Sequence, residues 1–178
     1  MAQKIVERLV GHFGDKVLAH GNEHGNDWVQ VDGKNLVELA TFLRDEKDLA
    51  MDMPIDCTAV DYLGLKTPRY EVVYHLYATS LHHRLRIKIP LDESAMEVPS
   101  LTPIWPGMNW HERETWDLYG VRFVGHPDLR RVLTYDEFQG HPLRKDYPID
   151  KRQPLIPMRE VRPVPTQRHA PPELLNRP

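Results

Sequence analysis

The sequence has very little cysteine: Cys57 is the only one among its 178 residues. A single thiol cannot form an internal disulfide, and it excludes a four-cysteine iron–sulfur site or a zinc ribbon built from this chain alone. Long apolar runs are also missing, since no stretch approaches the ~18–20 apolar residues that a membrane-spanning helix requires. With 40% hydrophobic and 28% charged residues, the composition is that of a globular domain in a reducing compartment.

Proline is unevenly distributed: none precedes Pro54, whereas eight of the 16 lie between Pro148 and Pro178. Proline lacks a backbone N–H and disfavours a helical conformation of the residue before it, so this end of the chain cannot be a regular helix or a central strand. The sequence predicts an extended, proline-rich C-terminal arm. Composition alone also allows a disordered tail, but apolar residues such as Leu155 and Ile156 favour an arm that docks on a surface.

Charge is divided between the two ends of the chain. Residues 151–178 carry six Arg or Lys against two acids, a net charge of +4, so the total of −3 leaves −7 for residues 1–150. Nucleic-acid binding requires clustered bases on the folded part, which an acidic body does not favour. The sequence therefore predicts no nucleic-acid partner, and a basic tail that favours an acidic one.

Apolar periodicity predicts two helices and five strands in the first 91 residues. Helices are expected over residues 5–13 and 35–47, the second beginning with a capping box of Asn35 and Glu38. Strands are expected over residues 16–20, 28–31, 55–62, 69–78 and 82–91. The polar, glycine-containing stretch 21–26 predicts a hairpin loop between the first two strands.

The last of these strands alternates apolar residues with Arg84, Arg86 and Lys88, so one sheet face should be buried and the other lined with bases. Helices are then the elements available to cover the buried face. This predicts an α+β fold of order α-β-β-α-β-β-β, a two-layer sandwich with a mixed or antiparallel sheet. We predict that the α+β domain occupies residues 1–120 and that the arm, residues 121–178, docks on partners.

The segment from Asn109 to Gly120 predicts one short helix, with Asn109 as its N-cap and Gly120 just past its end. Arg113 and Asp117 are four residues apart and Glu114 is three before Asp117, so we expect a charged helix face with an ion pair. The sequence leaves open whether this pair is exposed or desolvated. No apolar pocket is evident that would separate the pKa values of these carboxyl groups, which argues against acid–base catalysis.

Other catalytic and metal-binding patterns fail on spacing. His111 and Glu112 begin like a zinc-protease helix, but Thr115 occupies the position of the second histidine. His82 and His83 are adjacent on a predicted strand and would point to opposite faces. Neither a glycine-rich dinucleotide loop, nor a P-loop, nor a serine nucleophile elbow occurs. A standalone acid–base or metal enzyme and an RNA-binding module are alternatives without a supporting motif.

Two further elements follow. Thr134 to Glu137 has the pattern of a capping box and Gly140 that of a helix end, which predicts a helix of one or two turns. The next block consists of His141, Pro142, Leu143, Arg144, Lys145, Asp146, Tyr147 and Pro148. Its prolines should hold it extended and expose its three consecutive charged residues for polar contacts. A solvated loop is the alternative, but Leu143 and Tyr147 favour a contact segment.

Together these residues resemble the thirty-kilodalton subunit, also called the C subunit, of respiratory complex I, the proton-translocating NADH–quinone oxidoreductase. The family pattern has a Glu-Arg-Glu triplet, an acid followed by two apolar or aromatic residues, a histidine, a base and two aliphatic residues at fixed spacing. The matching positions are Glu112, Arg113, Glu114, Asp117, Leu118, Tyr119, His126, Arg130, Val132 and Leu133. The block beginning at His141 is also similar to the family's.

The resemblance implies a hydrophilic, non-catalytic subunit that holds neither a metal nor a cofactor. FMN, iron–sulfur clusters and quinone would belong to partner subunits, and the main contact would be the larger forty-nine-kilodalton subunit, also called the D subunit. The complex transfers electrons from NADH to quinone and couples this to proton translocation. The chain would be a peripheral protein at the cytoplasmic face of a prokaryotic inner membrane. The motif residues and the block from His141 to Tyr147 are the candidate partner contacts.

The family has relatives in membrane-bound hydrogenases and in ferredoxin- and F420H2-dependent complexes. An equivalent subunit of such a complex is therefore the alternative that the resemblance leaves open, and it changes the electron donor but not the role of the chain.

Overall fold

The computed structural model describes residues 2–156, with side chains from residue 5 onward. Its helices are α1 (Ala2–Phe13), α2 (Leu36–Asp45) and α3 (Met108–Tyr119), and its strands are β1 (Val17–Glu23), β2 (Asn26–Val31), β3 (Met53–Asp61), β4 (Tyr70–Ala78), β5 (His83–Leu91), β6 (Glu97–Pro99) and β7 (Arg122–Val124). The predicted order α-β-β-α-β-β-β is confirmed. Residues 157–178, the last part of the predicted arm, lie outside the described residues.

The first five strands form one mixed sheet of order β1-β2-β5-β4-β3. Strands β2 and β5 are parallel, and the other neighbours are antiparallel. In this register Val29, Ile87, Tyr74 and Cys57 lie in one row across four strands. All four are buried, as strict alternation along the strands requires.

One face of this sheet forms the core with the helices. Leu9 of α1, Leu39 of α2 and Met108 of α3 are almost completely buried in the same cluster as the row through Ile87. Each such side chain contributes roughly 1.5–3 kcal/mol by leaving water. The opposite face has the row of bases that the sequence predicts on β5, and the α+β sandwich is confirmed.

Two local predictions were wrong. Helix α2 has no capping box, because Asn35 has a helical backbone and its side chain makes no cap hydrogen bond. A 3-10 turn precedes α2, and Asp32 caps that turn by accepting from Lys34 N. The hairpin loop is shorter than residues 21–26, since β1 continues to Glu23 and β2 starts at Asn26. His24 and Gly25 form the turn, both at positive φ.

The sequence patterns also missed a second, two-stranded parallel sheet of β6 and β7. Its strands have three residues each, too few for a periodic signal. It joins the segments before and after α3 to each other, because β6 lies a short loop before the helix and β7 follows it directly. Within residues 2–156, no helix is both long and apolar enough to cross a membrane.

Candidate functional site around helix α3

Helix α3 carries the charged motif and packs along β3. It begins at Met108, so the prediction that Asn109 is the N-cap was wrong; Gly107 precedes the helix and no side chain caps it. The Thr115 hydroxyl donates to the carbonyl oxygen of Cys57 across 2.7 Å. This contact fixes the helix against the sheet. The Cys57 thiol itself is buried, and burial raises its pKa well above the ordinary value.

Glu112 points into the protein and is completely buried. Its carboxylate accepts hydrogen bonds from Ser100 Oγ at 2.6 Å and from the backbone N–H of Leu101 at 2.7 Å. Burial raises the pKa of Glu112, and these hydrogen bonds oppose the shift. The side chain therefore ties α3 to the loop that leads into it. Glu114, two residues further, is exposed.

The predicted ion pair between Arg113 and Asp117 does not form. The Arg113 guanidinium lies 4.8 Å from the centroid of the Trp110 ring and donates to the backbone carbonyls of Arg130 and Arg131 at 3.1 and 3.2 Å. Arg113 and Asp117 instead bind the segment that follows β7. Two residues of the charged face, Arg113 and Asp117, thus form desolvated contacts within the chain.

Asp117 binds that segment with both carboxylate oxygens. Oδ2 accepts from the N–H groups of Val132, Leu133 and Thr134 at 2.9–3.0 Å, and Oδ1 accepts from Arg131 Nη1 at 2.6 Å and Thr134 Oγ1 at 2.5 Å. Burial alone would raise the pKa of Asp117, but the hydrogen bonds from Thr134, Leu133 and Val132 outweigh it and lower the pKa. The hydrogen bonds therefore favour the ionised carboxylate.

Arg131 is the main residue that sequence reasoning missed. Its side chain is 12% exposed. Besides Asp117 it donates to the carbonyls of Phe138 and Gly140 at 2.8 and 3.2 Å. The helix predicted over residues 134–140 is absent, because Thr134 donates to Asp117 instead of capping and only one turn, from Tyr135 to Phe138, forms. No local pattern in the sequence indicated this arginine, because its partner Asp117 lies 14 residues away.

The block after Gly140 caps the C-terminal end of α3. The last carbonyls of a helix have no partner inside it, and here His141 Nδ1 donates to Asp117 O at 3.0 Å, Leu143 N to Leu118 O at 3.1 Å, and Arg144 Nε to Tyr119 O at 2.6 Å. Burial lowers the pKa of His141, and the hydrogen bond to Asp117 O opposes this shift. Cations near this end also complement the helix dipole.

Two predictions about this block were therefore wrong. It forms successive turns, with hydrogen bonds from Arg144 N to His141 O and from Tyr147 N to Arg144 O. Arg144 is half-buried, while Lys145 and Asp146 are exposed as predicted. Proline restricts its own φ but does not prevent turns at the residues between two prolines.

A second ion cluster attaches the block to the sheet. Arg69, before β4, binds Asp61 in a bidentate pair at 2.8 Å and also contacts Asp146 at 2.9 Å. Asp61 accepts in addition from the backbone N–H of Lys145 at 2.8 Å. The Arg69 hydrogen bond, with those from Lys145 and Leu63, lowers the pKa of Asp61 to about 2 against the effect of burial.

The remaining motif residues take structural positions. His126 Nε2 donates to Asn109 O at 3.1 Å, and its Nδ1 accepts from Asp128 N at 3.0 Å, so its partners select one tautomer. The Arg130 side chain is exposed beside Asp128. The backbone carbonyl of Arg130 accepts a hydrogen bond from Arg113. Tyr147 stacks on Phe138 with ring centroids 6.1 Å apart. We call the contacts of α3 with residues 130–147 the α3 junction.

The α3 junction leaves several large apolar side chains in water. This exposed apolar set comprises Trp110, Leu133, Leu143, Ile149, Leu155 and Ile156. Ile149 and Leu155 are essentially fully exposed.

Among the described residues no three His, Cys, Asp or Glu side chains are grouped as a metal site would require. The two buried carboxylates of α3, Glu112 and Asp117, are both engaged in hydrogen bonds that attach the helix to neighbouring segments.

Residues 29–153 match the family model of the 30 kDa subunit of respiratory-chain NADH dehydrogenase. The chain belongs to this family. It is 43% identical over 145 residues to the C-type subunit of NADH-quinone oxidoreductase from Roseiflexus sp. (strain RS-1), covering 82% of this chain and 83% of that one. It is 47% identical over 143 residues to the corresponding C-type subunit from Mesorhizobium japonicum, covering 80% and 68%.

Solved structures of this fold agree with the family match. The trypsin-resistant fragment (1–134) of Nqo5 aligns with 72% of this chain and 100% of that fragment, at 27% identity and a TM-score of 0.59. A chain of the archaeal membrane-bound sulfane sulfur reductase shares the fold, with 19% identity, a TM-score of 0.66, and coverage of 83% and 85%. The region that matches the family model contains the whole α3 junction, and the predicted family membership is confirmed.

Proposed function

We propose that this chain is a hydrophilic, non-catalytic subunit of NADH–quinone oxidoreductase, which positions a docking surface for the larger D-type subunit. Electrons would pass through FMN and iron–sulfur clusters held by partner subunits, and the chain would lie at the cytoplasmic face of the membrane. The family match supports the assignment to the complex. The names of the relatives, all C-type subunits of that oxidoreductase, support it further.

One observation carries the docking role: two members of the exposed apolar set, Leu133 and Leu143, lie on a backbone that is hydrogen-bonded to α3. Leu133 sits beside the N–H groups that Asp117 binds, and Leu143 is held by its N–H to Leu118 O at 3.1 Å. Side chains of this size, 47–61% exposed on a fixed backbone, are typical of a surface that a partner covers. The proposed site residues of the motif and of the block from His141 to Tyr147 thus act mostly by holding this surface in place.

Affinity purification from membranes tests the assignment. The chain is tagged at its own locus, the membranes are solubilised in mild detergent, and the co-purifying chains are identified by mass. We expect a D-type subunit, iron–sulfur subunits and a flavin-containing NADH module. Recovery of the chain without any of these would refute the proposal. Recovery with the core but without the NADH module would move the chain to a ferredoxin-, F420H2- or hydrogenase-linked relative.

Variants locate the docking surface within the same experiment. We expect the combined change Leu133→Ser, Leu143→Ser and Ile149→Ser to reduce the recovered D-type subunit at least several-fold, because it removes apolar area that the partner would bury. Val37→Ser, at a half-exposed position on α2, is the control and should leave recovery unchanged. Equal recovery with both variants would place the contact elsewhere.

Arg113→Ala and a truncation after Asp150 test the anchoring and the arm. Arg113→Ala should lower the amount of assembled complex, because the segment around Arg130 and Arg131 loses its side-chain donor. The truncated chain should fold but associate poorly. Wild-type assembly in either case would exclude the corresponding role.

A further inference from the structure

The uncovered face of the five-stranded sheet has its own surface chemistry. Arg84, Arg86 and Lys88 project from β5, the central strand, away from the helices. By register, Arg86 lies between Trp28 of β2 and His75 of β4. We call this surface the open face. Residues 1–150 have a net charge of −7. The three basic side chains nevertheless lie next to one another on a single strand, where they repel each other.

The bases of the open face have few acidic partners. Lys88 Nζ lies 4.1 Å from the Trp28 ring centroid, and the Arg84 guanidinium lies 5.4 Å from that of Tyr77. Arg86 reaches a carboxylate, Glu23, only at 3.8 Å. Among the described residues, Arg84 and Lys88 form no ion pair within 4.0 Å. The aromatic rings hold these cations along the sheet without neutralising them.

A groove runs between these bases. Two clefts of about 240 and 270 Å³ share His75 and Arg86 in their walls and extend across β3, β4 and β5. Arg86 Nε is buried and has no hydrogen-bond acceptor. The Arg86 side chain as a whole is 29% exposed, so an acceptor from outside can reach the outer nitrogens of its guanidinium, which approach a carboxylate only at 3.8 Å. Three acids also lie in the groove wall: Glu71 is paired with Lys66 at 2.7 Å, Glu23 lies 3.8 Å from Arg86, and Asp27 accepts from Asn22 Nδ2 at 2.7 Å while its second oxygen is buried.

We propose that the open face binds an extended acidic segment of a partner subunit, whose carboxylates pair with Arg84, Arg86 and Lys88. This inference rests on the proposed function, since it places the chain in an assembly. The chain's own C-terminal residues do not suit the groove, because residues 151–178 have a net charge of +4. A single-stranded nucleic acid is disfavoured too. Its nucleobases would stack on the Trp28 and Tyr77 rings, but Lys88 and Arg84 already contact these rings.

Carbodiimide coupling of the intact purified complex tests the contact directly. This reagent joins an amine to a carboxylate only when the two touch. We expect Lys88 to be recovered by mass spectrometry in a peptide joined to an Asp or Glu of another chain. Lys34, exposed beyond the end of β2, is the matched control and should remain unlinked to that peptide. Lys88 joined only to acids of this chain, or unreacted, would overturn the proposal while the complex itself still purifies.

Binding to a defined probe gives an independent readout. A fluorescent 12-residue polyglutamate peptide is titrated into the full chain at low salt. We expect Arg84→Gln with Arg86→Gln to weaken its affinity about tenfold, the effect of losing charge-assisted hydrogen bonds. Arg122→Gln, at an exposed arginine on β7, should bind like wild type. Equal affinities in both variants, or tighter binding of an oligothymidylate of the same length, would refute an acidic-peptide site.

Discussion

The sheet core and the α3 junction are held together by different forces. In the core, side chains such as Leu39 and Ile87 contact other apolar side chains and are buried almost completely. In the junction, Asp117 is buried, the Arg131 side chain is 12% exposed, and both contact mainly polar groups. The core is thus stabilised by buried apolar area, whereas the α3 junction is stabilised by hydrogen bonds and ion pairs that require a defined geometry.

The difference determines how each region fails. Apolar burial is non-directional, so a truncated core side chain costs free energy in proportion to the area and cavity it leaves. A buried ion network depends on every partner, because removing one charge leaves the other desolvated and unpaired. We infer that the position of the exposed apolar set depends on a few polar residues, whereas the fold depends on many apolar ones.

The largest expected effect is that of Asp117→Ala. The change leaves Arg131 without its carboxylate and the N–H groups of residues 132–134 without an acceptor. We expect the free energy of unfolding to fall by about 3–5 kcal/mol, measured by urea denaturation. We also expect trypsin to cleave after Arg130 and Arg131 under native conditions, monitored by mass.

Glu114→Ala is the control, three residues earlier on the same helix but exposed. Its unfolding free energy should stay within about 0.5 kcal/mol of wild type. If both variants unfolded alike, the junction would not depend on buried charge and the contrast with the core would be lost.

A core variant should show the opposite pattern. Ile87→Ala, in the buried row of the sheet, should lower the free energy of unfolding by about 2–5 kcal/mol through lost burial and a cavity. Native-state cleavage by trypsin after Arg130 should increase only as much as global unfolding does. Cleavage after Arg130 while the rest of the chain is still folded would show that a change in the core also loosens the α3 junction.

The regions also differ in what the sequence could predict. Alternation in β5 and the apolar stripes of α1 and α2 identified the core, because burial leaves a periodic pattern in the chain itself. The motif from Glu112 to Asp117 identified the family and the helix. Strand order was not accessible, since the parallel pairing of β2 with β5 joins residues nearly 60 positions apart.

The contacts of the junction were not accessible for a similar reason. Local spacing paired Arg113 with Asp117, whereas Asp117 binds Arg131, 14 residues away. The partner is selected by tertiary geometry, and ionic partners leave no periodicity. Arg69 and Asp61, which attach the block after Gly140 to the sheet, were missed because they lie in a different part of the sequence.

A smaller effect, dependent on pH, is expected at Asp61. Its pKa of about 2 in the folded chain is below the ordinary value of about 3.9. A lowered pKa contributes stability that is fully present above the unfolded pKa and is lost as pH falls through the folded one. Asp61→Asn should therefore be less stable than wild type by on the order of 2 kcal/mol at pH 7, with a gap that narrows from pH 4 towards pH 2.

Urea midpoints at pH 7, 4 and 3 measure this gap. Asp15→Asn, the same change at an exposed position, should show no gap at pH 7. A difference between wild type and Asp61→Asn that stayed constant down to pH 3 would exclude ionisation of Asp61 as its source.

The smallest predicted difference isolates the contact between the end of α3 and the block after Gly140. Gly120 and Gly125 both have positive φ, +81° and +85°, so alanine costs about 1–2 kcal/mol of backbone strain at either position. Only at Gly120 would the new Cβ meet neighbours, Arg144 Nη2 at 2.5 Å and the His141 ring at 2.6 Å. Gly120→Ala should thus be less stable than Gly125→Ala by about 1 kcal/mol, a typical net cost of a disturbed hydrogen bond, since Arg144 and His141 must move from the carbonyls they cap. Equal unfolding free energies would show that the contacts of Arg144 and His141 with the end of α3 add little stability.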